Sequence, residues 1–179
     1  MNRIQQLQLM ARYNEWMNDK LYAAAATLPQ AQLFEARGAF FGSLFGTLNH
    51  LVAADMIWLK RFARQPLQWP SLLAVTQLDD PSGLAVRLFD HLDALHERRQ
   101  MLDAAIIAWT GELVDADLDA TLHYANTAGV QGSRQFYALL THFFNHQTHH
   151  RGQATTLLCQ ACVDVGSTDL LALIPNESL

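Results

Sequence analysis

The sequence predicts an all-α protein, a four-helix bundle with long crossover connections. Three observations support that class. Four segments place apolar residues at spacings of three and four, the period of a helix with one buried face. Each segment runs for more than about 20 residues, longer than the average globular helix. The links between them carry Pro, Gly and Ser punctuation, and four helices of matched length on one chain pack most simply as a bundle.

The first helix is predicted from about Arg3 to Thr27, with Leu7, Met10, Tyr13, Trp16, Met17 and Leu21 at spacings of three and four and Pro29 beyond its end. The second starts near Ser43, a residue whose hydroxyl can cap a helix N-terminus, and runs to about Arg64 before Pro66. The third is expected from about Leu84 to Trp109, after Asp80-Pro81-Ser82-Gly83 and ending near Gly111. The fourth runs from about Arg134 to Cys162, after Gly132-Ser133. The links at 28–42, 65–82 and 111–133 are long enough to cross an end of the bundle. Alternation and Asn/Gly punctuation in Thr121–Gly129 suggest a short β-hairpin. The tail from Asp164 reads as loop, with an apolar patch at Leu170–Ile174 expected to pack on the bundle. No role is assigned to Trp69–Asp79.

Length fits one domain over residues 1–179 and a sizeable core. Half the residues are hydrophobic, 16% are charged and the net charge is −5. That balance argues against nucleic-acid partners, which demand Lys and Arg against phosphates. No basic run exceeds two residues, and Arg98-Arg99 reads as a solvated helix face. No apolar run is long enough to span a membrane, and the N-terminus does not resemble a secretion signal, so a cytoplasmic protein is expected. The two cysteines, Cys159 and Cys162, fit a reducing compartment. They close a helix, where the dipole disfavours a thiolate, so they read as small residues packing its end. Trp16, Trp58, Trp69 and Trp109 read as core. Gly42 and Gly46 lack the Lys-Ser/Thr of a phosphate loop.

The chemistry-bearing feature is histidine. Eight occur in the chain, and His142, His146, His149 and His150 share the fourth helix. Imidazole suits zinc, copper, nickel and iron, and residues three or four apart can share one ion. The pairs 142/146, 146/149 and 146/150 all satisfy that spacing. Facing separates them. His150 lies roughly 40° and His146 roughly 80° from the centre of the apolar stripe, while His142 and His149 lie beyond about 110°. His146 and His150 are therefore the pair that looks inward. A catalytic zinc usually has three protein ligands. His50, His91, His96, His123 and carboxylates are the candidates for the third. His91 and His96 sit in a charged stretch and read as surface, and His123 lies in a link. His50 falls nearly opposite the main stripe of its helix, on a small, partly apolar face with Thr47, Ala54, Ile57 and Arg61. Asp55 lies inside the stripe, where a buried carboxylate needs an Arg or a His partner.

Two motifs carry a resemblance. Asn145-His-Gln-Thr-His-His-Arg-Gly-Gln153 contains His-x3-His-Arg-Gly-Gln, and His50-Leu-Val-Ala-Ala-Asp55-Met-Ile-Trp58 lies far upstream. Together they resemble the DinB-like family of metal-dependent proteins, with weaker likenesses at Tyr124–Gly129 and Thr168-Asp169-Leu170. The resemblance covers most of the chain. It implies that His50, His146 and His150 are the metal ligands, that zinc or nickel is the metal, and that the bundle forms a homodimer. Three imidazoles leave a coordination position open to water or to a substrate thiol. By analogy with related bundle enzymes, a thiol-dependent transferase or a hydrolase is expected, with a small-molecule thiol as partner. A non-catalytic metal-binding stress or dimerisation module is the competing expectation, since no general base is evident. Asp55 and Arg151, flanking the two motifs, are expected to pair.

Overall fold

The computed structural model describes residues 1–64 and 69–176. Pro66, the stop signal for the second helix, and the last residues of the tail lie outside them. Four long helices form the body: α1 (Arg3–Ala25), α3 (Leu44–Ala63), α5 (Leu92–Glu112) and α6 (Phe136–Gln160). Two short helices, α2 (Gln30–Leu33) and α4 (Leu73–Thr76), lie in the links. A two-stranded antiparallel hairpin, β1 (Thr121–Ala125) and β2 (Gln131–Gln135), precedes α6. None of the described helices is long and apolar enough to cross a membrane.

The ends of the helices follow local chemistry. Asn2 and Gln5 cap α1 reciprocally, each side chain accepting from the other's backbone N–H at 2.9 Å. Ser43 caps α3 as expected, its Oγ accepting from Gly46 N–H at 3.0 Å. α1 and α3 each pack on both α5 and α6, so α1 and α3 sit on one diagonal of the bundle. The links from α1 to α3 and from α5 to α6 therefore cross the bundle, as their lengths suggested.

Two boundaries differ from expectation. α5 begins at Leu92 rather than near Leu84. The segment before it is held extended because α3 side chains consume its backbone groups. Asn49 donates to the Val86 carbonyl at 2.6 Å and accepts from Leu88 N–H at 2.8 Å, and His50 bonds the Leu84 carbonyl. α6 begins at Phe136, because Arg134 and Gln135 still pair with Leu122 and Thr121 in the hairpin. The hairpin's second strand accordingly lies beyond Gly129, and Thr121–Gly129 supplies β1 and the turn.

The core is aromatic at one end. Trp109 stacks on Phe62 at 5.1 Å, and Trp69 stacks on Phe136 at 5.6 Å. Trp69, Leu72 and Val75 are buried, so the stretch after residue 68 closes this end of the bundle. Trp16 and Trp58 are only half-buried, at the core's margin. Cys159 and Cys162 are exposed rather than packed, and Cys162 takes a left-handed conformation (φ 59°) as the chain leaves α6. The tail's 3-10 turn, Leu170–Leu173, lies against α1, but none of its residues is buried and Leu171 is 74% exposed. The tail is held by polar contacts instead: Tyr13 Oη donates to the Thr168 carbonyl at 2.6 Å, and Lys20 Nζ donates to that of Ser167 at 2.5 Å.

Candidate metal centre

α3 and α6 pack side by side and bring His50, His146 and His150 together. One ring nitrogen of each lies within 4.8 Å of the others. His50 and His150 are buried and His146 is half-buried. The remaining histidines lie outside this group, although the ring of His142 comes within 5.9 Å of His146 and that of His149 within 4.8 Å of His150. His91 and His123 are exposed, the latter bonded to Ser133 Oγ across the hairpin at 2.7 Å. His142 and His149 are exposed on α6. His96 is not the surface residue expected; it is half-buried and stacked on Tyr22 at 4.6 Å.

Two of the rings are held by hydrogen bonds that also set their tautomer. The carbonyl of Leu84 can only accept, so His50 Nδ1 carries the proton that bonds it at 2.9 Å. His50 Nε2 is left as a bare lone pair. His150 Nδ1 is likewise engaged by Gln153 Oε1 at 2.8 Å, which leaves its Nε2 free. An N–H to a carbonyl or amide oxygen is the usual way an imidazole is oriented for a metal. His50 Nε2 stands 3.2 Å from His146 Nε2. Nitrogens about 2.0–2.1 Å from a tetrahedral ion lie about 3.3 Å from each other, so this pair has the spacing that zinc requires.

Electrostatics favour neutral rings. Burial lowers the pKa of His50 to about 4, against a smaller upward pull from the Leu84 hydrogen bond. Burial and the neighbouring histidines lower His146 to about 3. Burial lowers His150 too. Neutral imidazole is the form that binds a metal, so the fold holds this cluster ready for one at neutral pH.

Sequence reasoning did not find Phe41. Its ring stacks on His50 at 3.7 Å and meets His150 edge-on at 5.5 Å, forming an apolar wall on the cluster. Gly46 makes this possible. A Cβ there would stand 2.1 Å from the Phe41 carbonyl oxygen, so only glycine lets the 39–42 turn lie on α3. A glycine whose bare Cα faces a preceding aromatic segment was the signal available.

Asp55 is fully buried beside the cluster, but its partner is not Arg151. Arg99 donates to Asp55 Oδ2 at 2.6 Å and to Asp103 Oδ2 at 3.0 Å. Gln147 also donates to Asp55, at 2.8 Å. Arg151 turns the other way and donates to Asn14 Oδ1 and to Thr148 Oγ1. Arg99, read as part of a solvated face, is thus 1% exposed; only Arg98 keeps to the margin. Burial pushes the Asp55 and Asp103 carboxyls up, opposed chiefly by the Arg99 charge between them.

A helical bundle with three convergent, neutral histidines defines a class of protein able to hold one metal ion through α3 and α6. The chain belongs to the DinB family, whose model matches residues 1–177. It is similar to Protein DinB of Bacillus subtilis (strain 168), at 22% identity over 165 residues, covering 88% of this chain and 87% of that protein. No solved structure matches the chain.

Proposed function

We propose that the protein binds one divalent metal ion, zinc or nickel, through His50, His146 and His150, and uses it in a small-molecule reaction. The observation that carries this reading is the approach of two imidazole nitrogens to 3.2 Å, one of them a bare lone pair by virtue of the Leu84 hydrogen bond. A bound divalent ion would supply a Lewis acid that polarises an oxygen or sulfur donor placed beside it. The chain's own residues orient and shield. The Leu84 carbonyl and Gln153 hold two rings in register, and Phe41 excludes water from one side.

A cavity of about 260 Å³ adjoins His146, which favours an enzyme over a closed metal-binding module. Among the described residues no carboxylate lines it. A reaction that brings its own acidic proton, as a thiol does, needs no protein base there, which supports transfer involving a small thiol over hydrolysis. Pairing into a homodimer in the cytoplasm belongs to the same proposal, and the 86% exposed Phe40, next to Phe41, offers an apolar contact for a second copy.

The test is elemental analysis of protein purified without a histidine tag, followed by thermal unfolding with and without chelator. One zinc or nickel per chain and a clear loss of thermal stability on chelation are expected, because a ligand bound only by the folded state must stabilise it. Metal-free protein with an unfolding temperature indifferent to both ions would refute the proposal.

A further inference from the structure

The cavity at His146 continues beyond the histidines along α3. It is walled by Ala54, Ile57, Trp58, Arg61 and Asn126 among others. A second cavity of about 290 Å³ shares Ile57, Arg61, Asn126 and Thr127, and extends to Lys60, Arg64 and Asp80. The two form one groove along α3, closed on its far side by the turn of the hairpin.

Its charge is unusual for an acidic chain. Lys60, Arg61 and Arg64 face one carboxylate, Asp80. That carboxylate is committed to Lys60, whose Nζ reaches Asp80 Oδ1 at 2.6 Å and also the Leu78 carbonyl. Arg61 is half-buried, and among the described residues its guanidinium has no acidic or hydrogen-bonding partner. Its faces are occupied, since it lies 4.7 Å from the Trp58 ring and 5.3 Å from that of Tyr124. Stacking uses the π faces of a guanidinium and leaves its in-plane N–H donors unspent. Those donors line both cavities, so the groove presents a positive, donor-rich edge with nothing in the described structure to accept from it.

The surrounding parts are built to hold that edge still. Tyr124 lies across Gly132, its partner in the hairpin; a Cβ at Gly132 would come within 3.2 Å of the ring. Arg134 Nε donates to Tyr124 Oη at 3.3 Å. Asn126 Oδ1 accepts from the N–H groups of Ala128 and Val130, both at 2.9 Å, and fixes the turn that forms the wall. Arg61 follows His50 by about three turns, a rise of roughly 16 Å, and its side chain leans back over Trp58 towards the cluster. The separation between histidines and guanidinium edge is therefore on the order of 10 Å.

We infer that this groove binds the oxyanion end, a carboxylate or a phosphate, of an elongated substrate whose other end reaches the histidine cluster. Arg61 is the principal contact, Arg64 adds charge, and Trp58 and Tyr124 position the guanidinium. The placement of the far end rests on the metal reading above; the anion site does not.

Inorganic phosphate titrated into metal-free and zinc-loaded protein, followed by calorimetry and by the arginine Nε–H signals, tests the site. Saturable binding to both forms and a shifted Arg61 signal are expected. Arg61→Gln should bind about tenfold more weakly or worse, as loss of a charged hydrogen bond implies, while Arg12→Gln, on the exposed side of α1, should match the wild type. Equal binding by wild type and Arg61→Gln would overturn the inference. Linear dicarboxylates from succinate to sebacate then test the reach in zinc-loaded protein. Affinity should rise with chain length and lose that dependence in Arg61→Gln; a flat series in the wild type would overturn the elongated substrate. Zinc affinity in the same samples separates the two proposals. It should be unchanged in Arg61→Gln, and protein that needs Arg61 for phosphate yet binds no zinc would refute the metal reading and leave the anion site standing.

Discussion

α3 and α6 carry two polar clusters a turn apart, and the two are built by opposite rules. One contains Asp55, Arg99, Asp103, Asn14, Asn18, Gln147 and Arg151, all within the bundle and all at most 3% exposed. It draws residues from all four long helices. Its two carboxylates share one arginine, Arg99, while Asn14 and Asn18 add further donors to Asp103 at 2.9 and 3.0 Å and Arg151 ties in through Asn14. The other contains His50, His146 and His150, drawn from two helices only, with His146 opening on a cavity. Its members have no counter-charge among the described residues; they remain uncharged and point ring nitrogens at one another. The first cluster is closed and holds its own counter-charge, although Asp55 Oδ1, Arg99 Nη2, Gln147 Oε1 and Arg151 Nε keep no hydrogen-bond partner among the described residues. In the second, two rings are oriented from behind and the ring nitrogens converge on one another beside an open cavity. Burial of polar groups alone does not distinguish structure from function; whether charge is already answered within the cluster, and whether the cluster opens on a cavity, does.

Substitutions can sharpen that contrast, and the largest effect is expected in the closed cluster. Arg99→Ala leaves two carboxylates buried without their cation, and removing one partner of such a network costs about 3–5 kcal/mol. Chemical denaturation should show that loss without metal, and Arg99→Ala that unfolds like the wild type would mean the network contributes little. In the open cluster the effect should fall on affinity instead. Gln153→Ala frees the His150 ring, and loss of such an orienting partner typically weakens metal binding by about 10–100-fold, with little change in the stability of the metal-free chain. Competition against a chromophoric chelator reads this directly; undiminished affinity would show that His150 needs no support.

The smallest effect is a pH dependence. His50 and His146 titrate at about 4 and about 3 in the folded protein, below the ordinary histidine value near 6.5. Above 6.5 both states are neutral and nothing is lost. As pH falls from 6.5 towards 4, the unfolded chain takes up protons that the folded cluster refuses, so the metal-free protein loses stability across that window. Solvent reaches part of the cluster, which keeps the loss modest. A His50→Ala/His146→Ala chain should show a flatter stability profile over pH 4–6.5 than the wild type, and identical profiles would place the titration elsewhere.

Much of the molecule was legible in the sequence for physical reasons. The helical period marks a buried face, so the four long helices could be placed from it, and the inward turn of His146 and His150 followed from the same stripe. His50 did not follow, because α3 is buried on almost every side. Its second face packs under Phe41 and the 84–88 segment, and a projection that seeks one stripe cannot see that. The start of α5 was misplaced because the backbone of 84–88 is consumed by Asn49 and His50, distant in sequence and local only in space. Arg99 was misread beside Arg98, although Asp103 one turn on and the need of Asp55 for a cation both pointed inward. The cationic groove was illegible because its residues come from α3, the hairpin and the link after α4, and only the fold gathers them.

The central claim is that three particular histidines, out of eight, hold one ion. Zinc titration of His50→Ala beside His149→Ala tests it most directly, because the first alters the residue on the distant helix and the second an exposed histidine next to His150 in the sequence. The account predicts at least about 100-fold weaker zinc binding for His50→Ala, beyond the effect of losing an orienting partner alone, and near wild-type binding for His149→Ala. Wild-type affinity in His50→Ala, or an equal loss in both variants, would contradict it.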